Sequence, residues 1–230
     1  MSLKSTLNCF SELFFPRICI VCNNRLISQE QHICLNCHYQ MPRTNFHLEE
    51  GNTMEQLFYG RVMIERATAF FEFRKGSKYQ KILHHLKYKG QKELGERMGS
   101  LIGFELKHTD FAASIDLICP VPLHHKKERK RGYNQSYHLA LGLSNSLEVP
   151  IDNNSIKRVI NTNTQTSKGR FERWQNVDGI FELSNPGSVL NKHILLVDDV
   201  VTTGATLEAC VSAIQQVPET KISLLTLAIA

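Results

Sequence analysis

Residues 193–206 read HILLVDDVVTTGAT, and this stretch limits the fold more than any other in the chain. An unbroken apolar run that ends on two adjacent aspartates is a strand buried on both faces, because a half-exposed strand would alternate. The segment that follows, ATLEACVSAIQQV at 205–217, has the period of a helix. The same succession recurs along the chain. Strands are predicted at 64–73 (IERATAFFEF), 114–122 (SIDLICPVP) and 220–230 (TKISLLTLAIA), and helices at 76–90, 90–107 and 133–147, with Gly76 and Gly90 as punctuation. IKRVIN and GIFELS bracket a polar stretch, and residues 3–15 fit a short helix ended by Pro16. Apolar runs alternating with amphipathic helices predict an α/β fold with a parallel sheet flanked by helices. Ligands of such sheets sit beyond the carboxyl ends of the strands, here 119–123 and 198–206.

Length sets the organisation. A chain of 230 residues, 42% of them apolar, has room for one substantial domain and a small appended module. The division expected is 1–45 for an N-terminal helix and cysteine module, 46–110 for a connector and hood, and 111–230 for the main α/β domain. The net charge is only +5, but residues 124–132 (HHKKERKRG) hold five Lys or Arg against one Glu, so the basicity is local. No segment approaches the roughly 18 uncharged apolar residues of a membrane span. The N-terminus is broken by Glu12 and lacks a small-residue cleavage site, so a cytoplasmic protein is expected.

Four of the seven cysteines fall as Cys19-x2-Cys22 and Cys34-x2-Cys37, eleven residues apart. Two such pairs put four soft thiolates on two tight turns and suit a closed, structural tetrahedral zinc. Free thiols, disulfides and an iron–sulfur cluster are the competing readings. Residues 17–45 are mostly polar, so the metal is expected to supply the folding energy and the module to dock a partner or nucleic acid. Cys9, Cys119 and Cys210 stand singly in apolar surroundings, as core thiols do.

Carboxylates at a buried strand end must accept hydrogen bonds or face a cation. Asp198 and Asp199 suit a ribose diol, with magnesium held nearby through water. Val201, Thr202, Thr203, Gly204, Ala205 and Thr206 then offer threonine hydroxyls and the N–H groups that open a helix, a nest for a phosphate. There is no lysine of the kind that sits on a reacting phosphate, so a retained 5-phosphate fits better than a transferred one. A plain helix cap and a phospho-acceptor aspartate are the alternatives.

ILLVDDVVTTGAT resembles the diphosphoribosyl-binding motif of type I phosphoribosyltransferases. The ordered set of four-cysteine module, LKYKG (86–90), PVPLH (120–124), RGYNQS (131–136), a QT…GR…R…N segment (165–176) and the acidic motif resembles the ComF family over residues 9–230. The resemblance implies a type I phosphoribosyltransferase-like parallel sheet with a small N-terminal zinc-binding module. It further implies a magnesium-dependent protein that binds phosphoribosyl pyrophosphate (PRPP) and transfers or senses its phosphoribosyl group, with a role in DNA uptake. By the same resemblance Pro120, Val121 and Pro122 form a pyrophosphate loop, and 162–176 close over the site with Lys168, Arg170 and Arg173 on the pyrophosphate. Ser167-Lys168-Gly169-Arg170 departs from the family's glycine-leucine-serine-arginine run, which leaves open which cation reaches the ligand. A solvated polar loop is the other reading of 162–176.

Arg131, Asn134 and Gln135 lie where a helix N-terminus favours anions. Lys126, Lys127, Arg129 and Lys130 suit either a nucleic-acid backbone or a solvated charge run. The alternative function is therefore a single-stranded DNA-binding adaptor, partnered by DNA or a DNA-uptake helicase, with a non-catalytic PRPP site.

Overall fold

The computed structural model describes residues 16–160 and 179–230. The predicted helix at 3–15 and the 162–176 segment, with Lys168, Arg170 and Arg173, lie outside the described residues. Four parallel strands form the main sheet: β1 (Ala67–Glu72), β2 (Leu117–Pro120), β5 (His193–Val201) and β6 (Lys221–Ile229), in the order β1-β6-β5-β2. The 46–110 stretch thus contributes an edge strand of the same sheet. Two short strands, β3 (Ile156–Arg158) and β4 (Phe181–Leu183), pair antiparallel beside it and come from the segments IKRVIN and GIFELS.

The central strands β5 and β6 are buried along almost their whole length, as their uninterrupted apolar runs require. Helices α3 (Gln80–Tyr88), α4 (Lys92–Leu106) and α6 (Gln135–Leu147) cover one face, where Leu195, Val197, Leu225 and Leu227 meet Leu86, Met98, Leu139 and Leu143. Helix α7 (Ala205–Ile214) covers the other, where Ile194, Leu196 and Leu224 meet Leu207 and Val211. A segment containing the short helix α2 (Thr53–Gln56) packs on that second face through Met54 and Phe58. Asn52 fixes it there, capping α2 and donating from Nδ2 to the Ala67 carbonyl at 3.0 Å.

The cysteine module, with helix α1 (Leu35–Tyr39), differs from expectation in one respect. Its polar composition predicted little core, yet Ile20, Val21, Leu26 and Met41 are buried in one cluster with Phe71, Ile82, Leu83 and Leu86. Tyr79 Oη donates to the Cys37 carbonyl at 2.9 Å, Lys81 Nζ to the Val21 carbonyl at 3.2 Å, and the Arg43 guanidinium stacks 3.6 Å over Phe70. The module is apolar on the side that meets α3, and periodicity over so short a stretch does not reveal such a side.

The basic run 125–131 forms helix α5 (His125–Arg131), capped by the His124 ring and ended by Gly132 in the left-handed region. Lys126, Arg129 and Lys130 are exposed and Lys127 is half-buried. Among the described residues no helix is long and apolar enough to cross a membrane.

Candidate functional site

Asp198 and Asp199 sit near the carboxyl end of β5 and are both buried. Successive residues of a strand face opposite sides, and the two acquire different partners. Ser136, at the start of α6, donates its hydroxyl to Asp198 Oδ1 at 2.8 Å, and the Asp199 N–H donates to the same oxygen at 2.8 Å. Lys87, in the last turn of α3, places Nζ 2.9 Å from Asp199 Oδ2. The contact is off the line of a hydrogen bond: Oδ2 is buried and has no hydrogen-bond partner among the described residues. A hard carboxylate oxygen in that condition fits a water-bridged magnesium ion or a ligand hydroxyl.

Burial, and then the charge of Asp199, push the Asp198 carboxyl up to about 7, against the pull of the Asp199 N–H, the Ser136 hydroxyl and Lys87. An unfolded aspartate titrates near 3.9. The folded chain therefore keeps a proton that the unfolded chain has already lost, and stability falls as pH rises from about 4 through about 7. Asp198→Asn retains an oxygen for both donors and has no charge to bury. It is expected to match wild type near pH 4 and to exceed it near pH 8 by a few kcal/mol, at about 1.4 kcal/mol per pKa unit. Thermal unfolding at the two pH values measures this, and equal melting temperatures at the higher pH would refute it.

Val201 ends β5 and is buried; beyond it Thr202 and Thr203 are exposed, and Ala205 and Thr206 are half-buried. Gly204 caps α7 at φ 78°, and a Cβ there would lie 3.0 Å from the Phe58 ring, so both backbone conformation and space demand glycine. Arg61 Nη1 donates to the Thr203 carbonyl at 2.9 Å, and the guanidinium pairs with Glu208 in the first turn of α7. That pairing neutralises a carboxylate which would otherwise oppose an anion at the helix N-terminus.

Pro120, Val121 and Pro122 stand at the expected end of β2. Neither proline has an N–H, while the Val121 N–H donates to the Val197 carbonyl at 2.8 Å and its carbonyl accepts from Asn134 Nδ2 at 3.0 Å. These three residues therefore leave no backbone donor for an anion. Asn134 also caps α6 through the Ser136 N–H, and Gln135 Oε1 accepts from Arg131 Nη1 at 2.8 Å. Asn134 is thus a clamp between the β2 end and α6, and Gln135 orients Arg131. Lys87, Ser136 and Arg61 were not singled out from sequence. Lys87 and Ser136 lie inside LKYKG and RGYNQS, so the motifs held the signal, whereas Arg61 had none.

The Sγ atoms of Cys19, Cys22, Cys34 and Cys37 lie within 4.8 Å of one another, with Cys22 and Cys34 3.7 Å apart. A tetrahedron with Zn–S bonds of about 2.3 Å has edges of about 3.75 Å, so the cluster has the size and the soft donors of a four-thiolate centre. Burial pushes the Cys34 and Cys37 thiols up. At Cys19 burial is outweighed by the N–H groups of 21, 22 and 34, holding it near 7. Four thiolates this close need a cation among them. Cys119 and Cys210 are core thiols, both raised by burial, Cys119 to about 12.

A parallel sheet with an acidic pair near the end of one strand and a glycine-turned helix start beyond it defines a phosphoribosyltransferase-type α/β protein. The phosphoribosyl transferase domain family matches residues 134–228. Competence protein F of Haemophilus influenzae is 33% identical over 194 residues, 84% of this chain and 76% of that protein. DNA utilization protein YhgH of Escherichia coli is 29% identical over 82% of this chain and 80% of that protein, and Competence protein ComFC of Bacillus subtilis 34% over 40% and 35%. The chain belongs to the ComF family.

Proposed function

We propose that this chain is a cytoplasmic, PRPP-binding protein of DNA uptake, with magnesium at the acidic pair and structural zinc in the cysteine module. The observation that carries the reading is the buried pair Asp198–Asp199, with one carboxylate oxygen lacking a hydrogen bond, one loop away from the start of α7. In this reading the carboxylates accept the ribose hydroxyls, and the first-turn N–H groups of α7 with Thr202, Thr203 and Thr206 hold the 5-phosphate. Magnesium, when bound, supplies positive charge to the pyrophosphate. If the phosphoribosyl group is transferred, the C1–pyrophosphate bond breaks, pyrophosphate leaving with the electron pair, and C1 bonds an acceptor nucleophile; the positive charge that grows on the sugar would be met by the two carboxylates. Lys168 and Arg170, outside the described residues, are the cations this reading assigns to the leaving group. The DNA role rests on the printed names of the relatives.

A second reading, single-stranded DNA binding by an adaptor with a non-catalytic PRPP site, is favoured by the exposed basic side chains of α5 beside the β2 end. The two share one experiment. PRPP with magnesium at about 100 times its dissociation constant is expected to raise the wild-type melting temperature by roughly 5 °C or more, and to leave Asp198→Asn/Asp199→Asn unmoved. No shift in wild type sinks the PRPP reading. Salt-dependent single-strand binding that persists in the variant supports the second reading, and its absence at low salt removes it.

A further inference from the structure

We propose that Lys87 is a counter-charge built into the ligand site: its ammonium, seated on Asp199, neutralises the acidic pair so that an anionic phosphosugar can approach before magnesium screens it, and then donates to that ligand. The proposal rests on the PRPP reading above. Without Lys87 the site would meet a polyanion with a floor of carboxylates. Such a floor attracts magnesium and repels free PRPP.

Three observations place Lys87 in this role. First, it is drawn in at the end of α3: Tyr88 and the following Lys89 and Gly90 are exposed, whereas the Lys87 side chain is only 22% exposed. Second, its backbone is held in place. Leu86 is fully buried, and its carbonyl accepts from the buried Tyr133 hydroxyl, which ties the end of α3 to the start of α6, itself bonded to β5 through Ser136 and Asp198. Third, the contact with Asp199 is electrostatic without hydrogen-bond geometry. An ammonium has three donors, and one seated against a single carboxylate oxygen has donors left for an incoming oxygen. The Arg131 guanidinium lies 5.7 Å from the Tyr88 ring centroid, so a second cation stands at the end of α3.

The competing role, a structural ion pair fastening α3 to β5, makes a different forecast. A fastener affects binding equally at every magnesium concentration, whereas a counter-charge matters most when magnesium is scarce. The experiment titrates PRPP into wild type, Lys87→Met and Lys87→Arg by calorimetry, in chelator and across a magnesium series. Lys87→Met keeps the apolar stem and loses the charge. It is expected to bind PRPP roughly ten-fold more weakly than wild type in chelator, with the gap closing as magnesium rises and with Lys87→Arg close to wild type. A Lys87→Met protein that binds as wild type does, or that is weakened by one constant factor throughout, overturns the proposal. Should Lys87→Met fail to fold, Lys87→Gln replaces it under the same criteria. A wild type that binds no PRPP at any magnesium level removes the PRPP reading itself, and the proposal with it.

Discussion

Gly142→Ala is expected to cost this protein about 3 kcal/mol or more, a large part of the 5–15 kcal/mol that a folded domain has. In the middle of a helix this exchange ordinarily stabilises by up to about 1 kcal/mol, through backbone entropy. Here it meets an obstacle. A Cβ on Gly142 would lie 2.0 Å from the Glu96 carbonyl oxygen and 2.7 Å from the Ser100 nitrogen. The reciprocal contact is as tight, since a Cβ on Gly99 would lie 2.0 Å from the Leu139 carbonyl oxygen. Both obstacles are backbone of the facing helix and cannot rotate away, so α4 and α6 must separate. Gly95, Gly99 and Gly103, four residues apart on α4, all face α6 and make this approach possible. Steric exclusion therefore outweighs propensity. Gly132→Ala is the control: its φ is 82° with nothing within 4 Å of the added atom, and it is expected to cost only about 1 kcal/mol. Urea midpoints of the two variants measure the difference, and a Gly142→Ala midpoint equal to wild type would refute the packing argument. A variant that folds is also expected to bind ligand poorly, because the start of α6 carries Ser136 and Asn134.

That interface marks where sequence stops being informative. The strands at 67–72, 117–120, 193–201 and 221–229 were legible because burial on both faces forces continuous apolar runs. Asp198 and Asp199 were legible because they interrupt such a run where nothing apolar could replace them. Lys87 and Ser136 were hidden, since a lysine on a helix and a serine near a cap are ordinary surface residues until the fold sets them against the acidic pair. Arg61 reaches Thr203 and Glu208 across more than 140 residues of chain, a distance over which local pattern carries no information. The helix at 125–131 was obscured by its composition, because no residue in it is buried and no apolar period exists to detect. The glycines of α4 lie inside a segment that reads as one helix and only lower its propensity, and only the position of the facing backbone makes them contacts.

Removing metal from the cysteine module is expected to act on the acidic pair at the far end of α3. The four thiols are held together near the start of that helix: Tyr79 bonds the Cys37 carbonyl, and Lys81 bonds the Val21 carbonyl. Ile20, Val21 and Leu26 belong to the same buried cluster as Ile82, Leu83 and Leu86, and Lys87 follows at the carboxylate of Asp199. Without the cation the thiolates repel one another or take up protons and lose the bonds that set the two turns, so the knuckles loosen and that side of α3 loses its cover. Native mass spectrometry is expected to find one zinc per chain. Chelation, or Cys37→Ser, is expected to lower the melting temperature by roughly 10 °C or more, taking 2–4 °C per kcal/mol for a chain of this size and the several kcal/mol that a structural zinc contributes. Hydrogen exchange is expected to quicken at the amides of Leu83 and Leu86 before it quickens in β5 and β6, because a helix stripped of one packed side opens at lower free energy than the central strands. On the proposed PRPP reading, binding is then expected to weaken in step with the helix, since the lysine that meets Asp199 is carried by it. If chelation releases no zinc and leaves both the melting temperature and the exchange of α3 unchanged, the module is a fold stabilised by its own apolar side, and the metal reading fails.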